Sequence, residues 1–238
     1  MDIETHIKIF FDKIDLDKNI NFLDLFHQSA KATNTSNDFS INAAYKRLIK
    51  ALFLCKYFIY ASKLEGDILE CGVLRGFSSY LLLLLNQKIS NNTTKKIFYL
   101  IDSFEGLSEI LLEDTPKESN IHKHKKGDLR ADFKNVQNLF SNFQNVKILK
   151  GWIPNIFNKI NSNDQYCLVH LDVDLYKPTM DSLNFFYDKA VEGGIIITDD
   201  YLSELFPGNR KAWNEFVKNK KIKDSICLPS GQAVIIKK

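Results

Sequence analysis

Two apolar segments that each end in paired acidic residues are the parts of this sequence best suited to chemistry. One reads Leu168-Val-His-Leu-Asp-Val-Asp-Leu-Tyr176, and the other reads Gly194-Ile-Ile-Ile-Thr-Asp-Asp-Tyr201. If the two segments form neighbouring parallel strands, their carboxyl ends meet at one edge of the sheet and bring four carboxylates together. Carboxylate oxygens are hard ligands, which suit Mg²⁺, Mn²⁺ or Ca²⁺ better than zinc. The spacing therefore predicts a divalent cation site.

The positions of these acids along the strands support that prediction. Side chains alternate along a strand, so Asp172 and Asp174 are expected on one face, about 7 Å apart, with Val173 pointing away. Asp199 and Asp200 end the next strand, where alternation weakens and both side chains can turn inward. The alternative is that these acids cap the helices that follow, because Asp is common near a helix N-terminus. Two pairs at two consecutive strand ends favour the cation site.

A histidine lies in the same segment as the first acidic pair. His170 precedes Asp172 by two residues and is expected on the same face of the strand. Imidazole titrates near neutral pH, so this side chain is suited to act as a base or to orient a ligand. A buried histidine with satisfied hydrogen bonds is an equally good interpretation.

A second segment, Glu70-Cys-Gly-Val-Leu-Arg-Gly-Phe-Ser-Ser79, runs from a strand through a glycine turn into the start of a helix. Glycine lets the backbone approach a ligand closely, and the free N–H groups of a helix N-terminus attract carboxylate or phosphate. The spacing alone is equally typical of an ordinary β-α turn, and it lacks both the third glycine of a dinucleotide fingerprint and the Gly-Lys-Ser/Thr of a P-loop. Asp102 strengthens the interpretation of this segment as a ligand-binding turn, because an acid at the end of the next strand can accept hydrogen bonds from ribose hydroxyls. The alternative for Asp102 is a helix cap.

Strand-like and helix-like segments alternate along most of the chain, which predicts an α/β fold with a largely parallel, doubly wound sheet. Residues 1–40 contain helical patterns at Ile7–Ile14 and Phe22–Ala32 and are expected to form an N-terminal cap or lid, with the main domain at 41–238. A helix over Asn42–Leu64 is apolar on both sides, which suggests packing against a second subunit in a homodimer or higher homo-oligomer. Two final strands joined by Pro229-Ser-Gly231 predict a hairpin with one antiparallel edge. The predicted strands are Ile68–Cys71, Ile97–Asp102, Val146–Lys150, Cys167–Asp172, Gly194–Asp199, Ser225–Leu228 and Gln232–Ile236; the predicted helices are Gly76–Leu85, Leu129–Phe143, Pro154–Ile160, Pro178–Ala190 and Arg210–Lys218.

Composition narrows the functional classes. The 238 residues carry 32 basic and 29 acidic side chains, and a net charge of +3 gives no reason to expect a nucleic acid partner. The four cysteines form no Cys-x-x-Cys pair and are best explained as thiols in a reducing cytoplasm. The first residues lack the order of a secretory signal, and no apolar run reaches the length of a membrane span. We therefore expect a soluble cytoplasmic protein without a membrane segment.

Five motifs in order resemble the macrocin O-methyltransferase family, over about residues 47–218. They are Glu65-Gly-Asp-Ile-Leu-Glu-Cys-Gly-Val-x-Arg-Gly, Ile101-Asp-Ser-Phe-Glu-Gly-Leu, Lys150-Gly-Trp152, His170-Leu-Asp-Val-Asp-Leu-Tyr-x-x-Thr179 and Gly193-Gly-Ile-Ile-Ile-Thr-Asp-Asp-Tyr201. The family comprises S-adenosyl-L-methionine (AdoMet)- and Mg²⁺-dependent enzymes that methylate sugar hydroxyls of natural products. The resemblance implies a Rossmann-like class I methyltransferase fold with a seven-stranded, mostly parallel sheet, S-adenosyl-L-homocysteine as product, and a sugar-containing small molecule as acceptor.

The resemblance also implies roles for particular residues. Asp174 would be the general base. The metal ligands would be Asp172, Asp199 and Asp200. The residues expected to hold AdoMet are Glu70, Gly72, Arg75, Gly76, Ser78 and Ser79 around its methionine part, Asp102 and Ser103 at its ribose, and Trp152 near its adenine.

Two departures and one basic segment bear on the acceptor. Phe77 stands where the family often has a second glycine, and Gly231–Lys237 lacks the usual aromatic residues, so the acceptor cannot be carried over from the family. The segment Ile121-His-Lys-His-Lys-Lys126 lies in a long excursion after the second strand. Its His122–Lys126 charges either meet an acidic or phosphorylated acceptor, such as a nucleotide-linked sugar, or belong to a solvated loop.

Three other functions are compatible with parts of the pattern. A haloacid dehalogenase-type phosphatase uses Asp-x-Asp at a strand end, and a glycosyltransferase uses it to hold a metal and a sugar diphosphate. Neither accounts as well for the segment from Glu70 to Ser79 together with Asp102. A non-catalytic AdoMet or nucleotide sensor would have no need for a base beside a metal.

Overall fold

In the computed structural model, which describes residues 16, 20–35, 41–89, 96–118 and 120–238, strands and helices alternate along the chain. The strands are β1 (Asp67–Cys71), β2 (Phe98–Asp102), β3 (Val146–Lys150), β4 (Tyr166–Leu171), β5 (Ala190–Thr198), β6 (Ser225–Cys227) and β7 (Ala233–Ile236). The helices are α1 (Phe22–Ala32), α2 (Ile41–Ala61), α3 (Phe77–Ile89), α4 (Phe133–Phe140), α5 (Tyr176–Phe186) and α6 (Pro207–Asn219). Short 3₁₀ turns lie at Leu112–Asp114, Asn155–Lys159 and Tyr187–Lys189.

The strands form one sheet in the order β3-β2-β1-β4-β5-β7-β6. Strands β1 to β5 pair in parallel, whereas β7 is antiparallel to both β5 and β6. This confirms the predicted seven-stranded, mostly parallel sheet with antiparallel pairing at one edge. Within the closing hairpin, β7 lies inside and β6 forms the edge. The strand order reverses between β1 and β4, and ligands bind at such a reversal in open α/β sheets.

Apolar residues cover both faces of the central strands, because helices pack on both sides of the sheet. All six residues of β4 are buried, and so are the last five of β5. One core cluster joins the sheet to α1, α2 and α3, and the other joins it to α5 and α6. This packing fixes the carboxyl ends of β1, β2, β4 and β5, where the predicted site residues lie.

Three boundaries differ from the sequence prediction in ways that matter for the site. Helix α4 begins after Asp132, whose side chain accepts a hydrogen bond from Asn135 N at 2.8 Å, so it starts later than the predicted Leu129. Leu129 itself has a left-handed backbone with φ of 59°. Strands β4 and β5 end at Leu171 and Thr198, so all four predicted metal-site acids follow the strands instead of lying in them.

Helix α1 packs against the start of α3. Its Ser29 donates a hydrogen bond to Phe77 O at 2.7 Å, and the rings of Phe26 and Phe77 lie 5.1 Å apart. The predicted helical pattern at Ile7–Ile14 lies outside the described residues, and the division at residue 40 stays a prediction. No helix in the described part of the chain has the length and apolar character needed to cross a membrane.

Candidate active site

A cleft of about 820 Å³, including its solvent-filled mouth, opens at the carboxyl ends of β1, β2 and β4. Its walls come from the turns after these strands and from the segment that follows β2. The lining residues are Gly72, Leu74, Ile101, Asp102, Ser103, Gly106, Leu107, Ser108, Leu129, Gly151, Trp152, Ile153, Asp172, Val173, Asp174, Leu175 and Pro178.

The turn after β1 depends on a glycine. Gly72 has φ of 87°, and a Cβ atom there would lie 1.8 Å from the backbone oxygen of Asp172. The strands are this close because Asp172 N donates a hydrogen bond to Cys71 O at 2.8 Å. Only glycine fits both this conformation and this approach, so Gly72 brings the turn after β1 against the acids that follow β4.

Asp102, at the end of β2, holds the same turn by hydrogen bonds. Its Oδ2 accepts from the N–H groups of Val73 and Leu74, both at 2.8 Å, and its Oδ1 accepts from Phe104 N at 2.6 Å. The carboxylate therefore fixes the turn and also lines the cleft. The helix-cap alternative for Asp102 does not describe this arrangement, because the accepted N–H groups belong to two loops.

The other residues predicted to hold AdoMet divide into two groups. Ser103 and Trp152 line the cleft together with Gly72 and Asp102. The remaining residues lie behind the turn. Glu70 is buried and accepts a hydrogen bond from Ser79, and Gly76 packs against the Phe140 ring. Arg75 is exposed and donates to Asn34 O at 3.5 Å, and Ser78 is half-buried in α3. These residues build the turn, whereas the first group faces the cleft.

A turn, not strand alternation, brings the acids together. Asp174 has a left-handed backbone with φ of 59°, a conformation that is uncommon for residues other than glycine and recurs at functional sites. Oxygen atoms of Asp172, Asp174 and Asp200 all lie within 4.8 Å of one another. We call Asp172, Asp174, Asp199 and Asp200 the acidic cluster.

Burial and neighbouring charges change the pKa values of the acids in this cluster. Burial and the charges of Asp199 and Asp200 hold the pKa of Asp172 well above its usual range. Burial, together with Asp200 and Asp172, does the same for the pKa of Asp174. For Asp199, burial is outweighed by Lys50 and His170, so its pKa falls below its usual range. The cluster thus contains more negative charge than its neighbours neutralise.

Asp199 differs from Asp172 and Asp174 because three neighbours contact its carboxylate. Lys50 Nζ lies 2.9 Å from Asp199 Oδ2, and Gln232 Nε2 donates a hydrogen bond to Asp199 Oδ1 at 2.7 Å. His170 is buried between Glu70, at 2.9 Å from its Nδ1, and Asp199, at 3.6 Å from its Nε2. Burial would lower the pKa of His170, but Asp199 and Glu70 raise it to about 10. The raised pKa favours the protonated form of His170, whose Nδ1 contacts Glu70, while its buried Nε2 makes no hydrogen bond within the described residues.

The sequence prediction missed Lys50 and Gln232. The available signal for Lys50 was that α2 carries Lys46, Arg47, Lys50 and Lys56 but no acidic residue, so a buried cation there needs an acid from another element. Gln232 follows a loop and gave no signal of its own.

The chemistry of the cluster fits a divalent ion. The three carboxylates that converge are those of Asp172, Asp174 and Asp200, a set that includes the expected base Asp174 and lacks the expected ligand Asp199. Asp199 is held instead by Lys50 and Gln232. The repulsion that raises the pKa values of Asp172 and Asp174 would be relieved by a cation. All candidate ligands are oxygens, as Mg²⁺ and Mn²⁺ prefer.

The excursion over residues 103–132 forms one wall of the cleft through Leu107, Ser108 and Leu129. It is anchored by Asp114, whose buried carboxylate accepts hydrogen bonds from Tyr176 N at 2.6 Å and Leu111 N at 3.0 Å. In the basic segment, His124 stacks on Phe206 at 4.8 Å, while Lys126 pairs with Glu109. These contacts place the segment on the outside of the wall.

Comparison with known proteins agrees with this architecture. Residues 7–238 match the family described as macrocin-O-methyltransferase (TylF). The chain is 30% identical over 178 residues to the mycinamicin III 3''-O-methyltransferase of Micromonospora griseorubida, covering 71% of this chain and 67% of the relative. It is 28% identical over 153 residues to a Streptomyces olivaceus enzyme described as 8-demethyl-8-(2,3-dimethoxy-alpha-L-rhamnosyl)-tetracenomycin-C 4'-O-methyltransferase, covering 62% of this chain but only 57% of that enzyme's length.

Solved structures show the same fold. The O-methyltransferase NovP aligns with a TM-score of 0.65 and 22% identity, over 81% of this chain and 80% of that one. The calicheamicin methyltransferase CalS11 aligns with a TM-score of 0.67 and 16% identity, over 94% of this chain and 97% of that one. Both likenesses support a Rossmann-like class I methyltransferase fold. Because residues 7–238, nearly the whole chain, match this family, the chain belongs to the macrocin O-methyltransferase family.

Proposed function

We propose that this protein transfers a methyl group from AdoMet to a hydroxyl of a sugar-containing small molecule, in a reaction that depends on a divalent ion. The observation that carries the proposal is the single cleft that joins the glycine turn and Asp102 on one side to Asp172 and Asp174 on the other. One half suits a nucleoside with a charged tail, and the other suits an ion and a reacting hydroxyl. Methyl transfer requires these two halves to meet.

The relatives support the acceptor class. One is described as acting on a rhamnosyl-substituted tetracenomycin and another on mycinamicin III. A third relative, from Streptomyces niveus, is described as demethyldecarbamoylnovobiocin O-methyltransferase and is 25% identical over 192 residues. We infer an acceptor of the same general kind, a small molecule that carries a sugar.

On the cofactor side, the backbone does most of the positioning. Gly72 lets the turn pack against the backbone of Asp172 and lines the cleft, and Asp102 lines it where ribose hydroxyls can donate to its carboxylate. Ser103 lies next to it, and Trp152 offers an indole face suited to an adenine ring. Glu70, Arg75, Gly76, Ser78 and Ser79 act indirectly in this proposal, by shaping the turn.

On the acceptor side, Asp174 is proposed as the general base, and Asp172, Asp199 and Asp200 as the residues that would hold the ion. When bound, the ion supplies positive charge that favours ionisation of an acceptor hydroxyl, and AdoMet supplies the methyl group. Asp174 lines the cleft, where its carboxylate can accept a proton from an acceptor hydroxyl. Gln232 orients Asp199 through the hydrogen bond from its Nε2 to Asp199 Oδ1.

Calorimetry of the purified protein with S-adenosylhomocysteine tests this proposal, with and without Mg²⁺, on the wild type and on Asp172→Ala. We expect binding to the wild type that survives in the variant, because the cofactor half of the cleft does not depend on that carboxylate. Turnover of sugar acceptors is expected to require both Mg²⁺ and Asp172. Absence of binding under every condition would refute the methyltransferase function.

The oligomeric state is also a proposal. Helix α2 exposes Tyr45 and Tyr60, which are 39% and 48% accessible, and we propose that a second copy of the chain packs against α2. Sedimentation equilibrium of the wild type and of Tyr60→Glu tests this. We expect the variant to shift towards the monomer.

A further inference from the structure

A lysine from an apolar helix reaches into the acidic cluster. Lys50, on α2, places its Nζ 2.9 Å from Asp199 Oδ2 and 3.2 Å from Asp200 Oδ1. Its side chain is only 25% exposed. A lysine that is largely withdrawn from water is stable only when it is paired, and here both partners are acids proposed to hold the divalent ion.

The charges around this lysine do not balance. Five acids meet in the region, namely Glu70 and the four members of the acidic cluster, and the ion pairs that the described residues form with them are those of Lys50 and His170. His170 lies between Glu70 and Asp199, and among the described residues it forms ion pairs with these two acids and with neither Asp172 nor Asp174. Lys50 is thus the cation that reaches the Asp200 side, where the oxygens of Asp172, Asp174 and Asp200 converge.

We propose that Lys50 is a tethered cation that competes with the divalent ion for Asp199 and Asp200. In the metal-free protein, its ammonium group neutralises these two carboxylates and ties α2 to the carboxyl end of β5. When an ion binds, Lys50 must give up at least part of this contact, because two cations cannot share the same oxygens without strong repulsion. This inference rests on the proposed metal site.

Competition of this kind has two consequences. The affinity for the ion is lower than the acidic cluster would give without Lys50, which favours exchange of the ion over permanent retention. In addition, ion binding changes how α2 is attached, so the state of the cluster is transmitted to the helix that also packs against α3 and β5. Lys50 is therefore a positioning residue, because it acts through Asp199 and Asp200 and is not assigned a contact with the acceptor.

Binding of Mn²⁺, measured from the loss of the free-ion signal in electron paramagnetic resonance, tests the inference on the wild type and on Lys50→Met. We expect Lys50→Met to bind Mn²⁺ at least about tenfold more tightly, because a competing unit charge within a few ångströms is removed. Without metal, the melting temperature of this variant should fall, and Mn²⁺ should raise it by more than it raises that of the wild type. The matched control is Lys46→Met, which removes the same charge from an exposed position one turn earlier on α2.

The outcomes separate this inference from the proposed function. Equal or weaker Mn²⁺ binding by Lys50→Met, with clear binding by the wild type, would overturn the role of Lys50 and leave the metal site standing. Binding by Lys50→Met alone would support the competition and overturn metal dependence of the wild type. If neither protein binds Mn²⁺ while both bind S-adenosylhomocysteine, both the competition and the metal site are refuted.

A second variant covers the case in which Lys50→Met does not fold. Lys50→Arg keeps the positive charge and should fold. Competition predicts Mn²⁺ binding no tighter than in the wild type, together with a melting temperature that responds little to Mn²⁺. Binding by Lys50→Arg that is about tenfold tighter than in the wild type would contradict the inference.

Discussion

The two halves of the cleft are stabilised in different ways. The turn after β1 is fixed by backbone geometry, through Gly72 and the hydrogen bonds from Val73, Leu74 and Phe104 to Asp102. The acidic cluster is fixed by charge, with acids repelling one another and Lys50 and His170 holding some of them. A site built from backbone tolerates little change in shape, whereas a site built from charge tolerates little change in charge. This difference predicts which substitutions impair each half of the cleft.

The largest expected effect is on the charged half. Asp174→Asn keeps the shape of the side chain but removes the proposed base, so turnover should fall by about a hundredfold to ten-thousandfold. Affinity for S-adenosylhomocysteine should change by less than about twofold, because the cofactor half is separate. Steady-state kinetics and calorimetry measure the two quantities. Asp188→Asn, at an exposed surface pair, is the matched control; normal turnover by Asp174→Asn would remove that residue from the mechanism.

The turn after β1 should be sensitive to added side-chain volume, which is expected to lower the stability of the protein. In Gly72→Ala, the added methyl meets the Asp172 oxygen at 1.8 Å in a left-handed conformation, so we expect a loss of about 3 to 5 kcal/mol in the free energy of unfolding. Urea denaturation measures it. Gly127→Ala is a close control, since Gly127 has φ of 83° but its added methyl would find its nearest contact at 3.9 Å. Its expected cost is about 1 kcal/mol, and equal losses in the two variants would refute the steric explanation.

Asp102 tests whether a charge matters in the backbone half. Asp102→Asn keeps one acceptor oxygen but turns an amide N–H₂ towards backbone donors, so a loss of about 1 to 3 kcal/mol in stability is expected. Affinity for S-adenosylhomocysteine should fall as well, because the turn and the proposed ribose contact share this carboxylate. Thermal denaturation and calorimetry check the two effects together. A variant with full stability and unchanged affinity would show that Asp102 has neither role.

The smallest effect on stability and turnover is expected for Ser79, which lies behind the turn after β1. Ser79→Ala removes the hydroxyl that donates to Glu70, at a cost of about 1 kcal/mol. Turnover should change little, because Glu70 still contacts His170. Ser162→Ala, at an exposed position, should stay within about 0.5 kcal/mol of the wild type. A loss of turnover without a loss of stability in Ser79→Ala would instead place Ser79 at the cofactor.

Much of the fold followed from local patterns. Helix α1 and strand β3 have the predicted bounds, and the closing hairpin pairs as Pro229-Ser-Gly231 suggested. The boundary of α4 was wrong because the capping hydrogen bond of Asp132 decides it, and helix periodicity does not reveal which residue caps. Likewise, β4 was predicted one residue too far along the chain, at Cys167–Asp172, and alternation was expected to continue to Asp174, whereas the strand ends at Leu171.

The sequence by itself determined the order of strands and helices, the acids at the ends of two strands, and the glycine turn. These depend on hydrophobic periodicity and on residue types at adjacent positions, which are local properties. The tertiary structure alone decided that Asp174 turns back through a left-handed backbone, that Asp102 holds two loops, and that His170 is buried between Glu70 and Asp199. It also decided that Lys50 enters the cluster from a helix 150 positions away in sequence from Asp200. These outcomes depend on distances between segments that pair only when the sheet forms, and on burial, which converts ordinary charges into strongly interacting ones.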